Sequence, residues 1–445
     1  MLTIHPSSSN SCHRQRNKVL GVPELIAIAL GGMVGGGIFT VLGISVSMIG
    51  VYTPLAIILG GVIASFAAYS YIKLGVYYRD EGATYTFYKR TFPRSAFAAA
   101  LIGWWELFGY ISTLALYAYT FASYAISGFT FADNEWIRKL VAVVVILLFM
   151  LINVWSVKGM GKLEDIMVYT KLVILVVISF VLMNHSQATL PELVQQTGDV
   201  GIMAVLMVAS VTFVAYEGFQ LVTNAVKEME HPEKNIPKAI YSAIFLAVVI
   251  YVVISLGAVL AIPFDEIISK KEYALASGAG NVLGNWGTEL VIVGALLATS
   301  SAISGTVFGA SRQMAVIARD GYLPAVLSHY HKNIPVPAIV CMCVFAISLI
   351  LLGSLQLILE FGSITFLLVS LLMAYANFHI REKTGSSIGI TLAAIAGLLA
   401  GTVLVMVFET THEPLQMVAI GVLYLLLTFG AWLYAKVLHV PRQQQ

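Results

Sequence analysis

Residues 31–37 read GGMVGGG and lead directly into IFTVLG at 38–43, so five glycines occupy seven positions of an otherwise apolar stretch. Glycine is the poorest helix former after proline, and backbone groups that face lipid must be hydrogen-bonded within the chain. Close helix packing explains part of the pattern, because glycines four residues apart let two membrane helices approach. Packing does not require the three consecutive glycines Gly35 to Gly37, which favour a non-helical break in a membrane helix.

The composition is that of an integral membrane protein. Of the 445 residues, 59% are hydrophobic and 11% are charged, whereas soluble domains average about 25% charged residues. Apolar runs of about 20 residues, long enough to cross ~30 Å of hydrocarbon, recur along the chain. Twelve segments are predicted, at 22–48, 53–77, 97–128, 138–156, 163–184, 200–225, 237–262, 285–316, 335–354, 356–379, 387–408 and 414–437. We therefore expect an all-α membrane protein with no cleavable signal peptide.

The basic residues are distributed unevenly between the predicted loops. With a cytoplasmic N-terminus, 20 of the 25 lysines and arginines fall in cytoplasmic segments, and four (Arg138, Lys139, Lys270 and Lys271) fall on the opposite side. The positive-inside rule then predicts a multi-pass protein of the plasma or inner membrane with both termini in the cytoplasm. The remaining basic residue, Lys171, lies within segment five.

A second interruption is predicted in segment six, which contains FVAYEGFQLVTN at 213–224. Glu217 and Gly218 place a charge and a flexible residue in the middle of this segment. If five segments form one repeat, segments one and six correspond, and the odd number inverts the second copy. Glycine-interrupted segments at matching positions of two halves indicate the binding site of a secondary transporter.

The two breaks suit the two charged groups of an α-amino acid. Free N–H groups at the start of a half-helix attract an anion, and glycines let it approach the backbone. The stretch from Val34 through Gly35, Gly36 and Gly37 to Ile38 therefore suits a carboxylate, and the carbonyls near Ala215 and Tyr216 suit an ammonium group. Gly36 and its apolar neighbours favour a small or neutral amino acid, whereas Glu217 leaves a cationic substrate open.

Three charged residues lie at least eight residues from either end of a predicted membrane segment. A charged lysine at mid-bilayer costs at least ~2.5–3.5 kcal/mol, so Lys171 suits a group that gains and loses a proton and couples transport to a proton gradient. The alternative is a lysine that snorkels to the interface, since Lys171 lies ~12 Å into its segment. Glu217 suits contact with the substrate amine, pairing with Lys171, proton transfer, or a structural role as a protonated acid. Glu106, next to two tryptophans, suits either a packed or a cavity environment.

No constellation of residues typical of an enzyme or a metal site is found in the sequence. Cys341 and Cys343 lie two residues apart on one segment and point to different faces, so neither a disulfide nor a metal site is expected. We expect no cofactor, no metal and no nucleic acid partner. The aromatic residues that lie near the breaks and are candidates to cover a ligand are Phe39, Tyr110, Phe213, Tyr216 and Phe219.

Four motifs in order give a resemblance to a known family. They are MVGGGIF (33–39), LGVYYRDEGATYTFYKRTFP (74–93), FVAYEGFQLVTNAVKEMEHPEKNIPKAI (213–240) and SRQMAVIARDGYLP (311–324). On these motifs the chain resembles the amino acid–polyamine–organocation transporters from end to end. His231 and Gly36 depart from the family pattern, which usually has asparagine at the first position and often serine or alanine at the second.

The resemblance implies a leucine-transporter-type fold with discontinuous helices one and six, and amino acid uptake or exchange by alternating access. It implies the following division of the chain: a cytoplasmic tail at 1–20, inverted five-helix repeats at 21–184 and 200–380, two further helices at 386–437 and a cytoplasmic tail at 438–445. Lys171, 18 residues after Asn153, matches the helix-five lysine of a sodium-independent, proton-coupled branch. Ser300 and Ser301 match the hydroxyl ligands of sodium-coupled members and would be the remnant of a cation site.

Three functions remain in competition at this point. The favoured hypothesis is a proton-coupled amino acid symporter. An exchanger of amino acids or polyamines with the same fold would use Lys171 structurally and would carry out counterflow without a proton gradient. A nutrient sensor or channel is less favoured, because the predicted tails are short.

Overall fold

The structure is a computed structural model that describes residues 20–80, 83–155, 160–186, 189–226, 229–270, 272–332 and 334–438. Its helices, numbered in chain order, are α1 (Val22–Met33), α2 (Gly37–Ile49), α3 (Thr53–Tyr78), α4 (Ala83–Thr91), α5 (Ala96–Ala125), α6 (Glu135–Trp155), α7 (Met160–Asn184), α8 (Leu190–Thr197), α9 (Ile202–Val211), α10 (Leu221–Asn224), α11 (Pro232–Ala261), α12 (Phe264–Ser269), α13 (Ala274–Leu283), α14 (Asn285–Arg319), α15 (Val336–Leu352), α16 (Leu355–His379), α17 (Arg381–Thr384), α18 (Ile388–His412) and α19 (Pro414–Leu433). Residues 1–19 and 439–445 of the predicted tails lie outside the described residues, as do Lys158, Lys227 and Lys271 of the charge pattern.

Ten helical stretches in the described ranges are long and apolar enough to cross a membrane. One of them, Gly37–Tyr78, runs through α2, a 3-10 turn and α3, whereas α1 and α15 are shorter apolar helices. The outer helices expose large apolar side chains such as Trp155, Leu415 and Leu425. Such a surface is unfavourable in water and matches the acyl chains of a bilayer.

The interior of the bundle is formed by α5, α16 and the interrupted segment 202–224. In these three, 72–78% of the apolar stretch is buried, against 17% in the final stretch Pro414–Lys436. The most extensive helix contacts join α5 to α14 and to α16, and α11 to α3. The interrupted segments therefore lie at the centre of the bundle, and α19 lies at its edge.

Several segments expected to be loops contain helices. In α8, Thr189 caps the first turn, and its own N–H donates to Glu192 Oε2 at 3.0 Å in a capping box. The T-x-x-E spacing is a helix-start signal, which a search for long apolar runs does not detect. α11 begins at Pro232, five residues before its predicted start, so that Pro237 lies inside the helix.

Candidate functional site

The glycine-rich stretch interrupts the helix of the first predicted segment. α1 ends at Met33, and the N–H of Gly35 donates to the Met33 carbonyl at 2.9 Å. The regular bonding of α2 begins when the Thr40 N–H donates to the Gly36 carbonyl at 3.2 Å. The N–H groups of residues 36–39 consequently have no carbonyl partner within their own helix. These donors lie at the positive end of the α2 dipole, where an anion is stabilised.

The segment containing FVAYEGF is interrupted as well. α9 ends at Val211, a 3-10 turn covers Thr212–Tyr216, and Glu217 is extended. Gly218 has φ of 132°, a conformation that residues with a Cβ rarely adopt. Beyond it α10 is a single turn. Both interruptions predicted from the sequence are therefore present.

The two interruptions touch each other through their backbones. A Cβ atom built on Gly218 would lie 2.6 Å from Gly32 C and from Met33 N, and one built on Gly37 would lie 3.1 Å from the Ala215 Cα. Glycine is required at 218 both for its φ and for this close approach.

One side chain links the two breaks. The hydroxyl of Tyr251, on α11, lies 2.7 Å from the Met33 carbonyl oxygen and 3.0 Å from the Ala215 carbonyl oxygen. The side chain is fully buried. Sequence reasoning missed Tyr251, because a single tyrosine in an apolar helix is usually a packing residue.

Gln220 holds the second break in its unwound form. Its Nε2 donates to Glu217 Oε2 at 2.7 Å and to the Tyr110 hydroxyl at 3.4 Å, while its Oε1 accepts from the Gly218 N–H at 2.9 Å. Gln220 is only 2% exposed. Glu217 Oε1 has no hydrogen-bond partner among the described residues. Gln220 was not singled out from the sequence, although an amide three residues after a glutamate in an apolar segment is a readable signal.

Lys171 is fully enclosed and does not reach the membrane interface. Its Nζ donates to the Gly31 carbonyl oxygen at 3.0 Å and to Ser301 Oγ at 2.8 Å. Its exposed fraction is 0%, so the snorkelling alternative is wrong. The lysine thus connects α7 to the last turns of α1 and to α14. Ser300 is half-buried.

Side chains of α5 and α14 cover the first glycine break. A Cβ on Gly35 would lie 2.8 Å from the Ala302 Cβ and 3.1 Å from the Tyr117 ring, and one on Gly36 would lie 3.1 Å from Thr120. Neither Tyr117 nor Thr120 was selected from the sequence. This tight cover leaves little room for a serine or an alanine at position 36.

Most of the remaining candidates are packed into the walls around the breaks. Val34 and Ile38 are buried, and the Tyr216 hydroxyl donates to the Ile57 carbonyl of α3 at 2.7 Å. The aromatic candidates Phe39, Phe213 and Phe219 are also buried, Phe39 against Tyr124 and Phe219 against Tyr71.

Glu106 lies on the face of α5 that also carries Tyr110, one turn away. Its Oε2 accepts a hydrogen bond from Gln313 Nε2 on α14. Nearby, Asp320 at the end of α14 accepts from the Tyr85 hydroxyl and from Lys89 Nζ, each at 2.7 Å. Glu106 therefore belongs to the contact between α5 and α14. Its partner Gln313 differs from the partners of Lys171, which are Gly31 and Ser301.

Two discontinuous helices that meet at the centre of a membrane bundle define a class, that of membrane transporters built around broken helices. A family model for amino acid permeases matches residues 20–434, and the chain belongs to this family, in the amino acid–polyamine–organocation superfamily. The resemblance drawn from the four motifs is thereby confirmed. Amino acid transport is the activity that this membership supports.

Relatives of the chain are found in bacteria and plants. The inner membrane transport protein YbaT of Escherichia coli is 28% identical over 390 residues, which cover 86% of this chain and 88% of that protein. The branched-chain amino acid permease BcaP of Bacillus subtilis is 26% identical over 369 residues, covering 78% and 77%. The chloroplastic cationic amino acid transporter 7 of Arabidopsis thaliana is 24% identical over 394 residues, covering 83% and 66%.

Proposed function

We propose that this protein is a secondary active transporter that takes up a small or neutral amino acid together with a proton, independently of sodium, by alternating access. In this proposal twelve membrane-spanning helices form two inverted five-helix repeats, at 21–184 and 200–380, with α18 and α19 outside them. Both termini are cytoplasmic, in the plasma or inner membrane. The observation that carries the proposal is the contact of Lys171 with Gly31 and Ser301.

The substrate carboxylate binds the N–H groups at the start of α2. Gly36 and Gly37 present these donors without a Cβ, and the helix dipole adds to their attraction for an anion. The substrate ammonium binds the carbonyl side of the second break. The Ala215 carbonyl contributes there, because a carbonyl oxygen has two lone pairs and Tyr251 occupies one of them.

The coupling of transport to the proton follows from the groups to which the Lys171 ammonium donates its hydrogen bonds. Gly31 lies in the last turn of α1, at the negative end of that helix dipole, which favours a cation. A protonated amine has three donors and makes charge-assisted hydrogen bonds roughly twice as strong as neutral ones. Loss of the proton therefore weakens the attachment of α7 to α1 and to α14. Because α1 ends at the glycine break, the proton and the substrate carboxylate act on the same half-helix.

The preference for a small or neutral substrate follows from the first break and the side chains packed against it. Tyr117, Thr120 and Ala302 leave little room around the glycines, and BcaP is named for branched-chain amino acids. One oxygen of Glu217 is held by Gln220, so we assign Glu217 to the shape of the break. The plant relative named for cationic amino acids makes a charged substrate the competing assignment.

The test is uptake of labelled amino acids into proteoliposomes with and without an inward proton gradient. Wild-type protein is expected to accumulate substrate only with the gradient, at equal rates in sodium and choline buffers. Lys171→Met, which keeps side-chain length and removes the charge, is expected to lose accumulation, whereas the exposed control Lys332→Met keeps it. Full gradient-driven accumulation by Lys171→Met would refute the coupling assignment.

Counterflow in the same liposomes separates symport from exchange. Preloaded substrate without a proton gradient should drive at most slow counterflow in the wild type if the proton is a required co-substrate. Rapid counterflow that is insensitive to pH, with no net accumulation, would establish an exchanger in which Lys171 is structural.

A further inference from the structure

A groove of about 570 Å³ opens where the end of α3, the start of α11 and α17 meet. Three basic residues, Lys73, Arg79 and Lys383, and one acidic residue, Glu233, line it. In the part of the chain that the structure describes, three cations face one carboxylate here, so the groove has an excess of positive charge. By the charge pattern of the loops, this end of the bundle is the cytoplasmic end.

The contacts of the cations leave this excess in place. Arg79 lies 3.5 Å from Glu233, and this exposed pair accounts for the acidic residue. Lys73 Nζ donates to the Gly385 carbonyl at 2.9 Å, a neutral acceptor that does not compensate its charge. Lys383 is exposed. Among the described residues that line the groove, two positive charges thus remain for an anion.

An apolar stripe on α3 runs into the groove. The exposed residues Leu55, Ile58, Val62 and Phe66 recur every three or four positions, which places them on one face of the helix. Tyr69, Lys73 and Tyr77 continue the same spacing into the groove. The helix face therefore changes from apolar to aromatic and then to cationic, the order met on passing from acyl chains to headgroups.

The neighbouring helix repeats this order. On α11, Val249 and Phe245 are exposed, and Tyr241, one turn nearer the start of the helix, is 40% exposed and lines the groove. Two apolar faces thus converge on one basic groove. A soluble anion would use the groove alone, whereas a molecule with acyl chains uses the groove and both faces.

We propose that this groove binds the phosphate headgroup of an anionic glycerophospholipid, whose acyl chains lie along the exposed faces of α3 and α11. Basic pockets between membrane helices at the cytoplasmic side are suited to such headgroups. Lys73 and Lys383 supply the charge, and Tyr77 and Tyr241 mark the depth of the interface. The site is separate from the glycine breaks and does not depend on the transport proposal.

The test is native mass spectrometry of the full chain with phosphatidylglycerol or phosphatidylcholine. Phosphatidylglycerol is expected to bind preferentially, and less so at high salt. A basic residue near an anionic lipid contributes about 1 kcal/mol, so Lys383→Gln should weaken phosphatidylglycerol about fivefold and Lys73→Gln/Lys383→Gln about 25-fold. Lys332→Gln, an exposed lysine outside the groove, is the matched control and should bind as the wild type does.

Three outcomes would overturn the proposal. They are wild-type phosphatidylglycerol binding by both groove variants, equal binding of phosphatidylcholine, and displacement of the lipid by inorganic phosphate at comparable concentration, which would identify a soluble-anion site. Lys383→Gln changes one exposed side chain, so it keeps the test valid if the double variant does not fold.

Discussion

Replacing Gly218 by alanine tests whether contact between the two helix breaks is required for stability and transport. The new methyl group would lie 2.6 Å from the backbone of Gly32 and Met33, where ordinary carbon contacts are about 3.5–4.0 Å. It would also sit on a residue with φ of 132°. The substitution therefore combines backbone strain with a steric clash between two backbones.

The two effects have separate magnitudes. Holding a residue with a Cβ in such a conformation costs about 1–3 kcal/mol, and overpacking a close contact typically costs another ~1–3 kcal/mol. The sum is about 2–6 kcal/mol in the free energy of unfolding. If the chain relieves the clash by separating the breaks by ~1 Å, a misplacement of that size reduces turnover on the order of 100-fold.

Two glycines serve as controls in the same experiment. Gly284 has φ of 71° with nothing within 4 Å of its Cβ position, and Gly397 lies in α18 with similarly open space. Gly284→Ala should show the strain cost alone, and Gly397→Ala should show neither cost. Thermal unfolding in detergent reports stability, and uptake into proteoliposomes reports function. If Gly218→Ala matches Gly284→Ala in both assays, contact between the breaks is not required and the reasoning fails.

Three further predictions concern single side chains. Tyr251→Phe leaves two buried carbonyls without this donor and should lower stability by about 1–3 kcal/mol, with reduced uptake; unchanged unfolding and uptake would contradict its linking role. Glu217→Gln keeps an acceptor for Gln220, so uptake of neutral amino acids should persist within about tenfold, and selective loss of lysine or arginine uptake would instead identify a cationic substrate. Lys270 holds the pKa of Asp133 below its usual value through a 2.6 Å hydrogen bond outside the membrane. The difference in stability between the wild type and Asp133→Asn should therefore be present above pH ~4 and disappear as the pH falls through the lowered pKa. A stability difference that does not change with pH would contradict this role of Lys270.

The breaks were predictable because their chemistry is local. Three consecutive glycines and the Glu217–Gly218 pair mark positions where a helix is weak, whatever surrounds them. The start of α2 at Gly37 agrees with the sequence for that reason. The twelve segments and their repeat remain predictions beyond the ten apolar stretches that the described ranges contain.

The partners across the site were less predictable, because they depend on how the helices are rotated. Ser301 was reached only through the family resemblance, and nothing in the sequence pointed to the Gly31 carbonyl as the second acceptor for Lys171. Tyr251 and Tyr117 belong to apolar runs in which every face looks alike. Only the assembled bundle shows that Tyr117 packs against the glycines and that Tyr251 donates hydrogen bonds.

The single hydroxyl of Tyr251 has two acceptors and one proton to share between them. At any instant the hydrogen points to Met33 or to Ala215, although both carbonyl oxygens lie within 3.0 Å of the same atom. The two breaks therefore share one hydrogen-bond donor, and a change in the distance between them changes which carbonyl accepts it more strongly. Carbon-13 labelling of either carbonyl would make that change visible as a shift of its infrared stretching band, giving an optical readout of the central contact without any attached probe.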